Sequence, residues 1–260
     1  MTRFVHIVPN VTLMDWQPRR WWDNESMQTL EGKVYILTGG GGAIAGAIAQ
    51  AFTQAGAKLA LADAYETTIT ERAEALGGRA FVANLTHYPD AEMLVRQVKS
   101  HFGRLDGLVH TVGGFAYAPV KDTEPNLYDR MFDLNMRTLF YMTRAIIPEL
   151  LSQKDGFIAG ISAAAAWHGV GPGVALYAAA KAAVATYLRS LDAELAGTAI
   201  RVAIVYPMGA VDTPANRKEM PEADPMAWVD PAEIAESLVY AASRSPRGRV
   251  MELQIFPPRQ

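Results

Sequence analysis

From Gly32 onward, short aliphatic runs alternate with longer segments of helical periodicity, and few folds accommodate such a chain. The runs are KVYILT, KLALAD, RAFVAN, LDGLVHT, GFIAGIS, IRVAIVYP and RVMELQIF. Between them lie amphipathic stretches at Ala43 to Ala55, Thr67 to Leu76, Asp90 to His101, Asn126 to Ser152, Ala175 to Leu195 and Pro231 to Ser243. Strands that are apolar nearly throughout, each followed by a helix, predict a parallel sheet buried on both faces, because the crossover helices cover both sides. The expected fold class is therefore α/β, a Rossmann-type doubly wound sheet of seven parallel strands. Ligands of such sheets bind beyond the carboxyl ends of the strands, where the winding reverses, so function is expected in the loops there.

Composition narrows the partners. Half of the 260 residues are apolar, enough for one large core. The 24 Lys and Arg against 27 Asp and Glu give a formal net charge of −3, with no basic run longer than a pair, which argues against nucleic acid. The absence of cysteine removes thiolate metal sites and disulfides and fits a cytoplasmic location. The five histidines are scattered without metal-ligand spacing, so no metal is expected. No apolar run reaches the roughly 18 residues of a membrane helix, and the N-terminal segment lacks the charge order of a secretory signal.

The first run leads into TGGGGAIAGAIAQAF, a glycine-rich turn that opens a helix directly after a strand. Backbone amides and the positive end of the helix dipole make that junction suited to a pyrophosphate. Gly39, Gly41, Gly42 and Ile44 are the candidate contacts; Ala43 and Ala45 stand where small glycines would complete the usual dinucleotide fingerprint. Asp63 ends the second run, where an acidic side chain accepts hydrogen bonds from an adenosine ribose. No lysine or arginine lies within that turn to receive a 2′-phosphate, so NAD(H) is favoured over NADP(H).

In YAAAKAAVATYLRSLDAEL, Tyr177 and Lys181 are four apart on one helix face. A nearby ammonium is expected to lower the phenol pKa and ready Tyr177 for proton transfer beside a moving hydride. With these motifs in this order, the chain from Leu30 onward resembles the short-chain dehydrogenase/reductase family. TGGGGAIAG looks like that family's TGxxxGxG loop, and YAAAK like its catalytic dyad. LVHTVGG looks like its Asn-Asn-Ala-Gly segment, with His110, Thr111 and Val112 replacing the first three residues and Gly113 retained. Asn135 in DLNMRTLF matches the asparagine that the resemblance implies holds a relay water. YPMGAVDTP matches the segment near the nicotinamide, through Pro207 and Thr213, with Met208 intruding. The resemblance further implies that Asn84 and Leu85 contact the cofactor, that the substrate is a small carbonyl or alcohol compound, and that the protein is a homo-oligomer, a dimer or tetramer.

The family's serine is displaced. Ser162 lies two residues farther from the tyrosine than usual, and Ala164 occupies the usual position. Either Ser162 reaches the substrate oxygen through a local insertion, or the site works without a serine. The dyad helix and the segment after the sixth run are also similar to the dihydropteridine reductases, which implies reduction of a quinonoid pterin as an alternative. A non-catalytic NAD-binding sensor or interaction module is the alternative of another class. His168 is read as pocket-lining, and His110 as lining the ribose side or as a satisfied loop histidine. Arg217 and Lys218, on an expected lid between Pro207 and Pro231, are read as solvated or as contacts for an acidic substrate group.

Residues 1–30 are taken as an N-terminal extension and 31–260 as one NAD-binding domain. Trp16, Trp21 and Trp22 make the extension an arm packing on a neighbouring subunit, or else Met27 is the natural start; the arm is preferred, because aromatic rings rarely stay in water without cause.

Overall fold

Alternate residues of the first strand face opposite cores. In β1 (Val34–Thr38), Val34 and Ile36 point into one apolar cluster, and Tyr35 and Leu37 into the other. Every residue of the strand is buried, which explains why it reads as a continuous apolar run. The structure, a computed structural model, describes residues 29–167 and 171–259. The Trp16, Trp21, Trp22, Met27 and His168 readings therefore fall outside the described residues.

The other strands are β2 (Lys58–Asp63), β3 (Arg79–Val82), β4 (Gly107–His110), β5 (Asp155–Ile161), β6 (Ala199–Pro207) and β7 (Glu252–Ile255). They form one seven-stranded sheet in the order β3-β2-β1-β4-β5-β6-β7, and all pairings are parallel. The expected fold class is thus the one observed. The helices are α1 (Ala43–Gln54), α2 (Glu66–Ala75), α3 (Tyr88–Phe102), α4 (Asn126–Phe132), α5 (Thr138–Gln153), α6 (Ala175–Glu194), α7 (Pro214–Glu219) and α8 (Pro231–Ala242). Leu94, Ile146 and Leu188 carry α3, α5 and α6 onto one face of the sheet, while Ile48, Phe52, Ile234 and Leu238 carry α1 and α8 onto the other. The winding reverses between β1 and β4, whose last residues Thr38 and His110 are register partners. Ligand-binding loops are expected above that pair.

One long stretch departs from its periodicity. Asn126 to Ser152 reads as a single helix, but a π-helical turn at Asp133–Arg137 separates α4 from α5. A π-turn inserts one residue, so it leaves only a one-residue slip in the apolar spacing, too small to mark a boundary by itself. The segment after β6 is pinned at its base by a parallel bridge between Val211 and Val229, with α7 projecting from it.

At the opposite end of the sheet, buried Asp106 ties the starts of β1 and β4 together. It accepts hydrogen bonds from the Val34 amide at 2.9 Å and from Arg104 Nε and Nη2 at 2.7 Å each, and pairs with Lys33 at 3.2 Å. Burial alone would raise its pKa, but Arg104, the Val34 amide and Lys33 together hold it below the usual carboxylate value. Its stabilisation is present above the ordinary carboxylate pKa and is lost as the pH falls toward the depressed native value. Asp106→Ala is expected to lower the unfolding free energy by about 1–2 kcal/mol, because it leaves the buried Val34 amide without its acceptor, while Arg104 and Lys33 are partly exposed and stay solvated. Denaturant titration at neutral pH checks this.

Candidate active site

The turn between β1 and α1 is shaped for close approach. Gly39 has φ +66°, and a Cβ there would lie 2.8 Å from Thr111 Oγ1 and 3.0 Å from the Val112 amide nitrogen. A side chain on Gly41 would meet Thr68 Oγ1 at 2.5 Å. Gly42 caps α1 without a side-chain hydrogen bond, and the first turn carries no acidic residue, so neither competes with an anion for its amides. Gly39, Gly41, Gly42 and Ile44 line a cavity of about 460 Å³ whose other wall includes Thr213 and Pro214. The Gly41 amide donates to Asp63 Oδ2 at 3.0 Å, which places the carboxylate at the rim of the loop. A dinucleotide fits these residues.

Beyond β4 and β5, three expected residues meet. A Cβ on Gly113 would lie 2.7 Å from Asn135 Oδ1 and 3.1 Å from Lys181 Nζ, so only glycine lets the strand end rest on both groups. Asn135, carried by the π-turn and buried, donates through Nδ2 to the Gly114 carbonyl at 3.0 Å and the Met131 carbonyl at 2.9 Å. Its Oδ1 accepts from the Gly114 amide at 3.2 Å. Lys181 is buried in α6 and donates to the Ile161 carbonyl at the end of β5, at 2.9 Å. Tyr177 lies one turn earlier on α6, its ring 4.9 Å from that of Phe115 and nearly perpendicular to it.

The model of the short chain dehydrogenase family matches residues 33–224. The chain belongs to the short chain dehydrogenases. It is 29% identical over 244 residues to an uncharacterized oxidoreductase of Staphylococcus saprophyticus, covering 89% of this chain and 100% of that one. A second uncharacterized oxidoreductase, from Staphylococcus aureus, is 28% identical over 241 residues, with the same coverage. Among solved structures, a 3-ketoacyl-(acyl-carrier-protein) reductase from Brucella melitensis complexed with NADH superposes with a TM-score of 0.78 at 26% identity, covering 87% of this chain and 97% of that one. This short chain dehydrogenase is accordingly an oxidoreductase of a family that uses a nicotinamide cofactor.

Several of the expected site residues make contacts that their spacing in the sequence does not show. Burial pushes the Tyr177 phenol up to about 12, rather than an ammonium pulling it down, and burial lowers Lys181 to about 8. The ammonium is directed to the Ile161 carbonyl, and desolvation dominates both groups. Ser162 is buried and donates its hydroxyl to the Lys181 backbone carbonyl at 2.9 Å, so that proton is committed inside the protein. Asn84 Oδ1 is engaged locally by the Thr86 amide and hydroxyl, and the neighbouring Leu85 is buried. Thr213 caps α7 by accepting from the Asn216 amide at 3.1 Å, and Pro207 closes β6.

Arg72 was not among the sequence candidates. From α2 it donates to the Gly40 carbonyl and, at 2.9 Å, to the Gly42 carbonyl, bracing the glycine turn, and it lines the same cavity. Nine positions beyond Asp63, it carried no motif signal. Arg217 forms a two-point pair with Asp212 at 2.6 and 2.7 Å on the surface of the lid segment. Among the described residues, no group of three or more His, Asp or Glu could hold a metal, and no helix is long and apolar enough to cross a membrane.

His110 proves to be a satisfied interior residue. Nδ1 lies 2.8 Å from Thr38 Oγ1 and Nε2 3.1 Å from Thr138 Oγ1. Thr138 donates its only hydroxyl proton to the Leu134 carbonyl at 2.8 Å, so it accepts from the ring; Nε2 carries the proton and Nδ1 accepts from Thr38. The ring thus links the residue before the glycine loop to the turn that bears Asn135. Burial first, and the Lys181 charge second, lower its pKa to about 3. An unfolded histidine titrates near 6.5, so from there down toward pH 3 the unfolded state binds the extra proton, and stability falls by up to about 1.4 kcal/mol per pH unit. Unfolding titrations of wild type and His110→Gln should show this slope between pH 6.5 and 5 only in the wild type.

Proposed function

We propose that this protein is an NAD(H)-dependent oxidoreductase that moves hydride between nicotinamide C4 and a carbonyl or alcohol carbon, with Tyr177 as the proton donor or acceptor. The observation that carries this is the packing of Gly113, Asn135 and Lys181 against one another one helical turn from Tyr177. Gly39, Gly41, Gly42, Ile44, Asp63, Gly113, Pro207 and Thr213 would hold the cofactor, which supplies or accepts the hydride when bound. The NADH complex of the Brucella melitensis neighbour supports the same assignment.

The protein's own groups divide the remaining work. Tyr177, its pKa raised, stays protonated through neutral pH and is a competent acid in the reductive direction. Lys181 keeps its charge in a buried place by donating to Ile161, and its remaining N–H groups serve the ribose and the phenol. Asn135 fixes the Gly113–Gly114 backbone so that the glycine, rather than a side chain, faces Lys181. Asp63 favours NAD(H), since its carboxylate repels a 2′-phosphate and Arg72 is committed to the loop carbonyls. Ser162 takes no direct part; its hydroxyl secures α6 to the end of β5.

Two substitutions test this division, with NADH oxidation followed across a panel of aldehydes and ketones. Tyr177→Phe should lose at least about 10²-fold in kcat while still binding NADH. Ser162→Ala should leave kcat/KM within a few-fold of wild type and cost about 1–3 kcal/mol of stability through the stranded Lys181 carbonyl. An oxyanion donor at Ser162 would instead be worth about 10²–10³ in rate.

A further inference from the structure

Two large aromatic side chains stand in solvent beside the proton donor. Phe115 is 63% exposed and Tyr117 64% exposed, both on the loop after β4. The Phe115 ring stands edge-to-face with Tyr177, centroids 4.9 Å apart and planes at 77°. The Tyr117 ring lies across Gly173, where a Cβ would come within 2.4 Å of it, and the next residue, Ala118, donates to the Gly173 carbonyl at 2.7 Å. Gly173, at φ +79°, lies four residues before Tyr177, so both rings border the start of the helix that carries the acid.

Besides Lys181 on the next turn of the helix, the groups that meet the two rings, Tyr177 and Gly173, are uncharged. Among the described residues, no charged side chain adds to the effect of burial on Tyr177. Arg217, one of the two lid cations, is paired with Asp212. A carbonyl oxygen that reaches Tyr177 Oη brings the group attached to it against Phe115. An aliphatic group gains only contact area there, whereas a planar π system also gains the edge-to-face or offset stacking term.

Resting on the hydride-transfer function proposed above, we infer that the substrate is an uncharged aromatic carbonyl compound, or the corresponding alcohol, whose ring is recognised by Phe115 and Tyr117. In the reductive direction the carbonyl carbon gains the hydride and its electron pair from reduced nicotinamide. The C=O π pair becomes the new O–H bond with the Tyr177 proton, and Tyr177 is reprotonated from solvent. The nicotinamide is oxidised and the carbonyl reduced to an alcohol.

Benzaldehyde and cyclohexanecarbaldehyde form a suitable pair, since they match in carbon skeleton and differ in aromaticity. Wild type with NADH should prefer benzaldehyde by about tenfold in kcat/KM. Phe115→Leu, which keeps an apolar side chain without the ring, should remove most of that preference through KM, and Phe115→Tyr should keep it. Calorimetric titration of the NADH-loaded protein with benzyl alcohol and cyclohexylmethanol reads recognition without turnover and should show the same preference and the same loss. Equal binding and equal turnover of the two members, or a preference unchanged in Phe115→Leu, would overturn the aromatic assignment while leaving hydride transfer standing. Selective binding of benzyl alcohol with no turnover of any aldehyde would sustain recognition and overturn the hydride-transfer function. If neither selective binding nor turnover is seen, both fall.

Discussion

An ammonium cannot be placed in a protein interior without compensation, and the candidate site is organised around one. Lys181 is 7% exposed, and burial draws its pKa down to about 8. Its compensation comes from the end of the parallel sheet, where the last carbonyls of the strands have run out of ladder partners. The Ile161 carbonyl accepts from Nζ, and Asn135 Oδ1 and the Gly113 backbone close the remaining space. The junction is reciprocal, because Ser162, the residue after Ile161, donates back to the Lys181 carbonyl. Helix α6 and strand β5 are therefore joined by two hydrogen bonds of opposite direction, and Tyr177 takes its position from that joint.

Asn135 and His110 extend the same constraint to the nucleotide side. The π-turn brings the Asn135 amide within reach of the Met131 carbonyl and of both polar groups of Gly114. His110, where the family resemblance places an asparagine, spans from Thr38 to Thr138, and burial, with the Lys181 charge second, keeps it neutral. A longer ring in place of a shorter amide links the ends of β1 and β4 to the start of α5. The same stretch holds Thr111, whose hydroxyl donates to the Thr38 carbonyl at 2.8 Å beneath Gly39. The departures from the family pattern at residues 110 and 111 thus form hydrogen bonds at the point where the sheet changes direction.

Sequence patterning carried the architecture because the five inner strands are buried on both faces over most of their length and each crossover helix has one apolar face. Motifs and the family resemblance singled out Gly39, Asp63, Gly113, Asn135, Tyr177 and Lys181 as candidates, and the structure brings Gly113, Asn135 and Lys181 together one turn from Tyr177. Other features depend on contacts between distant residues and leave little periodic trace. The π-turn leaves at most a one-residue slip in the spacing. Arg72 reaches the glycine loop from another helix. The Tyr177 pKa follows burial, which residue spacing does not report, and the sequence left Ser162 with two open readings because the path of the chain between it and Tyr177 is not set by spacing.

That last ambiguity separates two kinds of active site, one with a second hydroxyl donor on the substrate oxygen and one in which Tyr177 acts alone. A high-resolution crystal structure of the protein with NADH and benzyl alcohol addresses it directly. The account predicts the alcohol oxygen on Tyr177 Oη, its ring against Phe115, and Ser162 Oγ still hydrogen-bonded to the Lys181 carbonyl. A Ser162 hydroxyl rotated away from that carbonyl and bonded to the alcohol oxygen would contradict it.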